Sequence, residues 1–281
     1  MPAPRAIPTD PQHWLHVLQA AERLQRALDG IYVVGGTAAA LWAGHRTSHD
    51  ADHYMPDLEH RFDEVLDRLE TLPGWITVRI RRPHLILGQL DGVMAGVAQH
   101  PTVASGSMQV ETTQVTTPQG LTIRLPTFRD TLLLKSRLLM TRNMARDYVD
   151  YVYLAMSLED ANLEQALAPA KRYKLPSSGP WSHDGSERPI AYLEELGLRL
   201  VRPTPKDTRQ IRLHWHRFQS LNTGASFPSW DEIASYCQTE GTRVLEVYRA
   251  WNICGPCGSG HGHEGSDDGE LSSDDTDGKN T

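Results

Sequence analysis

Residues 31–55 read IYVVGGTAAALWAGHRTSHDADHYM, and this stretch limits the fold more than any other. The apolar run 31–34 has the length and composition of a short buried strand. Gly35-Gly36-Thr37 then turns the chain, TAAALWAG reads as one short helix ended by Gly44, and DADHYM reads as the next strand. A strand that ends in glycines and opens a helix is an anion site: backbone N–H groups approach closely and the helix N-terminus adds positive potential. Thr37 adds a hydroxyl donor. Asp50 and Asp52 stand one residue apart on a strand, so their side chains share a face. Two carboxylates on one face suit Mg²⁺, a hard ion that keeps waters and substrate phosphates in its shell. The glycine turn and the acidic pair therefore make sense as one site.

The flanking sequence supplies the rest of the fold. PQHWLHVLQAAERLQRALDG has apolar residues at three- and four-residue steps, which predicts an amphipathic helix ended by Gly30. DLEHRFDEVLDRLETL predicts another. WITVRI, HLILGQL and VMAGVAQ read as strands, the last two joined by the hairpin signal Asp91-Gly92. MQVETTQVTT and LTIRL flank Pro118-Gln119-Gly120. From Pro126 the pattern turns helical: Thr127 caps FRDTLLLKSRLLMTR, and MARDYVDYVYLAMSL and LEDANLEQALAPA follow. Residues 173–189 form a polar Pro/Ser/Gly loop, with helical segments expected near 189–198, 206–221, 229–238 and 239–252. The expected class is α+β with a mixed sheet, then helices. The expected units are 12–126, 127–254 and an acidic tail, 255–281, too polar to offset its ordering entropy.

The net charge of −7 is uneven, because residues 255–281 hold seven acids against one base. The body is nearly neutral, so the charge does not argue against a nucleic-acid or nucleotide partner. No apolar run approaches a membrane span, and MPAPRAIPTDPQHW has no signal-peptide core. Three cysteines make no disulfide framework, so a cytoplasmic, reducing compartment is expected.

The stretch GGTAAALWAGHRTSHDADHY resembles the first motif of nucleotidyltransferases of the DNA polymerase β superfamily. It is most similar to the AbiEii/MenT toxin family, whose pattern is Gly-Gly-Thr, a short helix, His-Arg-x-Ser and Asp-x-Asp. LLLKSRLLMTRNMARDYVDYVYLA resembles that family's helical signature. The resemblance spans roughly residues 12–160. It implies that Gly35, Gly36 and Thr37, with Arg46 and Ser48, cradle the nucleotide. Asp50 and Asp52 would bind Mg²⁺ or Mn²⁺, Lys135 would approach the triphosphate, and Asp147 would be the acidic residue of the later helix. Arg142 and Asp150 are weaker correspondences. The implied enzyme moves a nucleotide from an NTP to an acceptor hydroxyl and releases pyrophosphate. In the resembled family the acceptors include tRNA 3′ ends, and an antitoxin protein is the partner. One departure stands out: the strand expected to hold a third carboxylate reads GVMAGVAQ, without an acid, leaving Asp91 and Glu111 as substitutes or the site with two.

Each residue also has a plainer reading. The Asp-x-Asp pair alone is common in loops. His45 and Arg46 either pair with acids or cap a helix, or they touch nucleotide. Lys135 lies beside a leucine-rich face, and Arg146-Asp147 is an ordinary helix pair. Tyr148, Tyr151 and Tyr153 read as packing. Arg199, Arg202, Lys206, Arg209, Arg212 and Arg217 read as a solvated face or as a track for an RNA backbone. CGPCGSGHGH reads as flexible tail before redox or zinc site, because glycine replaces the helix a redox motif needs. The alternatives to an RNA-modifying toxin are transfer to a small molecule or protein, and a weakened nucleotide-binding module.

Overall fold

Helix α1, Gln12–Ala27, buries Trp14, Val17, Leu18, Ala21 and Leu24, the stripe that its spacing predicts. The computed structural model describes residues 12–100, 109–173, 191–207 and 227–253. After α1 come β1 (Tyr32–Val33), α2 (Gly35–Ala43), β2 (Asp50–Met55) and α3 (Leu58–Glu70). Strands β3 (Trp75–Arg81), β4 (Leu85–Leu90) and β5 (Val93–Gln99) follow, then β6 (Thr112–Thr116) and β7 (Thr122–Pro126). The helical half contains α4 (Phe128–Thr141), α5 (Ala145–Met156), α6 (Asp160–Leu167), a 3₁₀ turn (Ala168–Arg172), α7 (Tyr192–Val201) and α8 (Trp230–Ile253).

The main sheet has five strands in the order β1-β2-β5-β4-β3, and β6 and β7 form a separate ribbon. β2 and β5 run parallel, while the other neighbours are antiparallel, so the sheet is mixed as expected. Asp91 and Gly92 both take positive φ, 51° and 82°, the geometry a two-residue hairpin demands. On β2 the pleat sends Ala51, His53 and Met55 into the core and leaves Asp50, Asp52 and Tyr54 on the other face. α1 and α3 pack against this sheet. Thr127 caps α4 by accepting a hydrogen bond from the Asp130 N–H. One buried apolar cluster runs from Trp14 on α1 to Val244 on α8. Among the described residues no helix is long and apolar enough to cross a membrane.

Two expectations need correction. α1 ends at Ala27, three residues before Gly30. The segments expected at 229–238 and 239–252 are one continuous helix, α8. Gly241 lies inside it and serves packing. A Cβ there would lie 2.7 Å from the Val201 nitrogen and 2.8 Å from the Gly197 oxygen of α7. Gly197 is matched, since its own Cβ would meet Leu245 at 2.6 Å. The two helices thus touch backbone to backbone. The segment 206–221 falls mostly outside the described residues, as do most of the 173–189 loop and the whole 255–281 tail.

The glycine contact fixes the sign of a substitution. On an exposed helix face Gly→Ala stabilises by about 1 kcal/mol. At Gly241 the added methyl must push α7 away, so Gly241→Ala is expected to destabilise by about 1–3 kcal/mol. Urea denaturation of the full chain reads it directly, and a stabilised variant would contradict the packing.

Candidate active site

The residues that the sequence singles out converge on one cavity of about 350 Å³ between the sheet and α4. Gly35 opens α2 with φ +69°, a conformation that favours glycine, and Val34 before it is extended and supplies no side-chain cap. Gly36 is constrained by space: a Cβ would lie 2.7 Å from an Arg46 nitrogen and 2.9 Å from the Ser48 hydroxyl. Both glycines, Arg46 and Ser48 line the cavity.

Asp50 and Asp52 lie on its floor. Beside them, β5 pairs in parallel register with Asp50 opposite Met94 and Asp52 opposite Gly96. A Cβ on Gly96 would sit 3.3 Å from an Asp52 carboxylate oxygen, so glycine leaves room next to the acid. Asp52 opens to the cavity but is enclosed on its other sides. That enclosure, with Asp50 alongside, raises its pKa, while Arg146, Arg142 and Lys135 pull it down. The donor set is two hard oxygen groups on one face, which suits Mg²⁺ or Mn²⁺ completed by phosphate and water oxygens.

The roof is one face of α4. Thr131, Leu134, Lys135, Leu138 and Arg142 line the cavity at steps of three and four residues. Lys135 is buried and donates to the Asp150 carboxylate at 2.6 Å. Arg46 donates to the same carboxylate from Nε at 2.8 Å and from a terminal nitrogen at 2.9 Å. His45 completes the set at 2.9 Å and stacks on Tyr153 with ring centres 4.9 Å apart. Burial would raise the Asp150 pKa, but Arg46, Lys135 and His45 outweigh it and hold the carboxyl well below the usual range. Burial lowers the pKa of Lys135 and of His45, with Asp150 opposing in both. Facing a carboxylate, which can only accept, His45 donates this bond from its Nε2–H.

Not every expected residue reaches the cavity. Thr37 is fully buried, its hydroxyl donates to the Asp50 carbonyl at 2.6 Å, and it is absent from the lining. It ties α2 to β2 rather than facing a phosphate. Asp147 is also fully buried and outside the lining. Its carboxylate accepts from Arg142 Nε at 2.9 Å and from the Met144 N–H at 3.3 Å, so it caps α5 and aims Arg142 at the cavity. Asp150, the weaker correspondence, is the hub. Arg146 lines the cavity instead of forming a surface pair with Asp147. The signal that finds Arg142 is the seven-residue step from Lys135, two helical turns on the same face. Neither substitute for the third carboxylate is present. Asp91 pairs with Arg23, Glu111 pairs with Arg129 at 3.2 Å, and both lie outside the lining. Among the described lining residues the carboxylates are Asp50 and Asp52, facing Arg46, Lys135, Arg142 and Arg146.

No protein-family model matches the sequence. The mycolic acid-containing lipids exporter MmpL11 of Mycolicibacterium smegmatis is 28% identical over 137 residues, 49% of this chain and 13% of that protein. The heme uptake protein MmpL11 of Mycobacterium tuberculosis is 29% identical over 140 residues, again 13% of its length. The chain thus spans about an eighth of the curated relatives it matches. Among solved structures, a candidate nucleotidyltransferase from Helicobacter pylori is 13% identical with a TM-score of 0.49, over 86% of this chain and 99% of that one. JHP933 from Helicobacter pylori is 12% identical with a TM-score of 0.46, over 86% and 94%. The antibiotic-resistance factor ANT(2'')-Ia is 15% identical with a TM-score of 0.39, over 56% and 88%. These likenesses concern the fold alone.

Asp150→Asn keeps the shape of the hub and removes its charge, leaving buried Arg46 and Lys135 uncompensated. It is expected to cost about 3–5 kcal/mol in chemical denaturation. A cost below about 1 kcal/mol would show that these cations do not depend on Asp150.

Proposed function

We propose that this chain is a metal-dependent nucleotidyltransferase that moves a nucleotide from an NTP to an acceptor hydroxyl. The observation that carries the reading is the convergence in one cavity of an uncapped glycine helix start, a carboxylate pair and four cationic side chains. The α2 amides and Ser48 face phosphate oxygens. Arg142, Arg146 and Lys135 offset the triphosphate charge from the opposite wall. Asp50 and Asp52 would hold Mg²⁺ or Mn²⁺, which when bound polarises the α-phosphate and neutralises developing charge. The acceptor hydroxyl oxygen attacks the α-phosphorus as its proton passes to solvent water, the bond to pyrophosphate breaks and pyrophosphate leaves. The chain's contribution is to position the reactants and supply charge.

The finer reading follows the resemblance to AbiEii/MenT toxins: a toxin with a tRNA acceptor, held in check by an antitoxin, in the cytoplasm. A second reading has its own observation. With Asp91 and Glu111 committed to arginines elsewhere, a site with two carboxylates also suits a module that binds nucleotide without turnover.

A label-transfer assay separates the two. The protein is incubated with Mg²⁺, each α-labelled NTP in turn and total tRNA. Label on tRNA that falls at least about 100-fold in Asp50→Ala/Asp52→Ala is the expected result. Tight NTP binding without transfer to any acceptor would favour the binding module. Equal transfer by wild type and variant would contradict the assigned site.

A further inference from the structure

Asp52 separates two unlike halves of the cavity. β2 lies between β1 and β5 in the sheet. On the β1 side, the Val34 N–H donates to the Asp52 carbonyl at 2.9 Å, and a Cβ on Gly35 would lie 4.0 Å from Asp52 Oδ2. On the β5 side, a Cβ on Gly96 would lie 3.3 Å from Asp52 Oδ1 and 2.6 Å from Leu87. The glycine turn, with Arg46 and Ser48, therefore stands on one side of the carboxylate, and Leu87 stands on the other. Two rows of directly paired residues carry the floor in that second direction: Asp52, Gly96, Leu87 and Tyr54, Ala98, Leu85. Paired residues share a face of the sheet. All six line the cavity. Beyond Asp52 these rows hold no charged side chain.

Tyr54 is the polar group of this apolar floor. It follows Asp52 by two residues on the same face, about 6.6 Å along the strand. Its ring stands edge-on to two neighbours: Tyr32, with ring centres 6.3 Å apart and planes at 84°, and His100, at 5.7 Å and 82°. Such aromatic contacts fix the ring. Among the described lining residues, three carry hydroxyls: Ser48, Tyr54 and Thr131. Thr131 donates to the Pro126 carbonyl at 3.3 Å, and Ser48 lies against Gly36 in the charged half. The Tyr54 hydroxyl has no hydrogen-bond partner among the described residues, whereas Tyr148 donates to Asn143 and Tyr192 meets Ser136.

We propose that Tyr54 selects the sugar of the bound nucleotide: the nucleoside lies over Leu85, Leu87 and Ala98, and the Tyr54 hydroxyl pairs with a ribose hydroxyl. This rests on the nucleotide-binding part of the transferase reading and narrows the substrate to a ribonucleoside triphosphate. Charge puts the polyphosphate on the side of the glycine turn, Arg46 and Lys135. The uncharged end of the same molecule then falls on the other side of Asp52, where the apolar floor suits the flat face of a base. The sugar joins the two ends. Its hydroxyls come level with the residue that follows Asp52 on that face, which is Tyr54. A phenol both donates and accepts, as a sugar hydroxyl does. A deoxysugar leaves the phenol without a partner, and a site built around a substrate hydroxyl rejects the analogue that lacks it.

The test titrates the full chain, with Mg²⁺ and without acceptor, with each NTP in turn, its 2′-deoxy and 3′-deoxy analogues, and inorganic tripolyphosphate. The wild type is expected to bind the NTP about 10-fold more tightly than at least one deoxy analogue, the fold-change of one hydrogen bond. The disfavoured analogue identifies the hydroxyl. Tyr54→Phe keeps the ring, and it should bind the NTP and that analogue equally, at the wild-type affinity for the analogue. Its affinity for tripolyphosphate should match the wild type, which also shows that the fold and the charged half are intact. Leu87→Ala should weaken the NTP and both analogues alike, about 5-fold, and spare tripolyphosphate. A wild type that binds the NTP and both analogues equally overturns the inference, as does a Tyr54→Phe that keeps the full discrimination. The transferase reading survives both results, because the NTP still binds. Equal losses of NTP and tripolyphosphate in Tyr54→Phe would assign Tyr54 to the shape of the cavity and overturn the inference as well. A wild type that binds neither NTP nor tripolyphosphate sinks the nucleotide reading and this inference together.

Discussion

The carboxylate of Asp150 holds the site in shape. From α5 it accepts four hydrogen bonds, donated by His45 and Arg46 in the loop between α2 and β2 and by Lys135 on α4. Three segments distant in sequence are joined at one buried charge. Two of the donors, Arg46 and Lys135, also line the cavity, so the group that holds the segments together also sets the positive wall. Removing the charge would loosen the loop that carries the chain into β2, and with it the placement of Asp50 and Asp52. Buried ion pairs are costly to desolvate, and here the cost is offset by saturating both carboxylate oxygens.

Space does as much as charge. Gly36 leaves room for Arg46 and Ser48, and Gly96 leaves room beside Asp52. Gly197 and Gly241 let α7 and α8 touch. Only one of these roles shows in a local pattern. Gly36 sits in a recognisable strand-to-helix turn, whereas Gly241 has the look of a helix stop until the partner helix is known. A glycine needed for a tertiary contact carries no signature in its own neighbourhood.

The β1–α2–β2 unit, the Asp91-Gly92 hairpin, the Thr127 cap and the mixed sheet were legible because periodicity, turn chemistry and capping are local. The Asp50/Asp52 face followed from the pleat alone. Asp147 and Asp150 could not be ranked in the same way. They lie three residues apart on one helix, and only packing decides that Asp147 serves Arg142 while Asp150 gathers Arg46, His45 and Lys135. The hydroxyl of Thr37 looked available to phosphate until β2 brought the Asp50 carbonyl to it. The bulge on β3, where Thr77 pairs with Gly88 and Arg79 with Leu87 so that Val78 is the extra residue, was equally silent, since WITVRI alternates normally when read alone.

The cavity combines two acids with four cations, a balance that suits a bound polyphosphate and its metal better than either alone. Isothermal titration with a non-hydrolysable NTP, with and without Mg²⁺, on wild type and Asp52→Asn tests this most directly. The account predicts saturable binding that weakens at least about 10-fold when Mg²⁺ is removed, and little further effect of removing it from Asp52→Asn. Binding of equal strength in all four titrations, or no binding by the wild type with Mg²⁺ present, would contradict it.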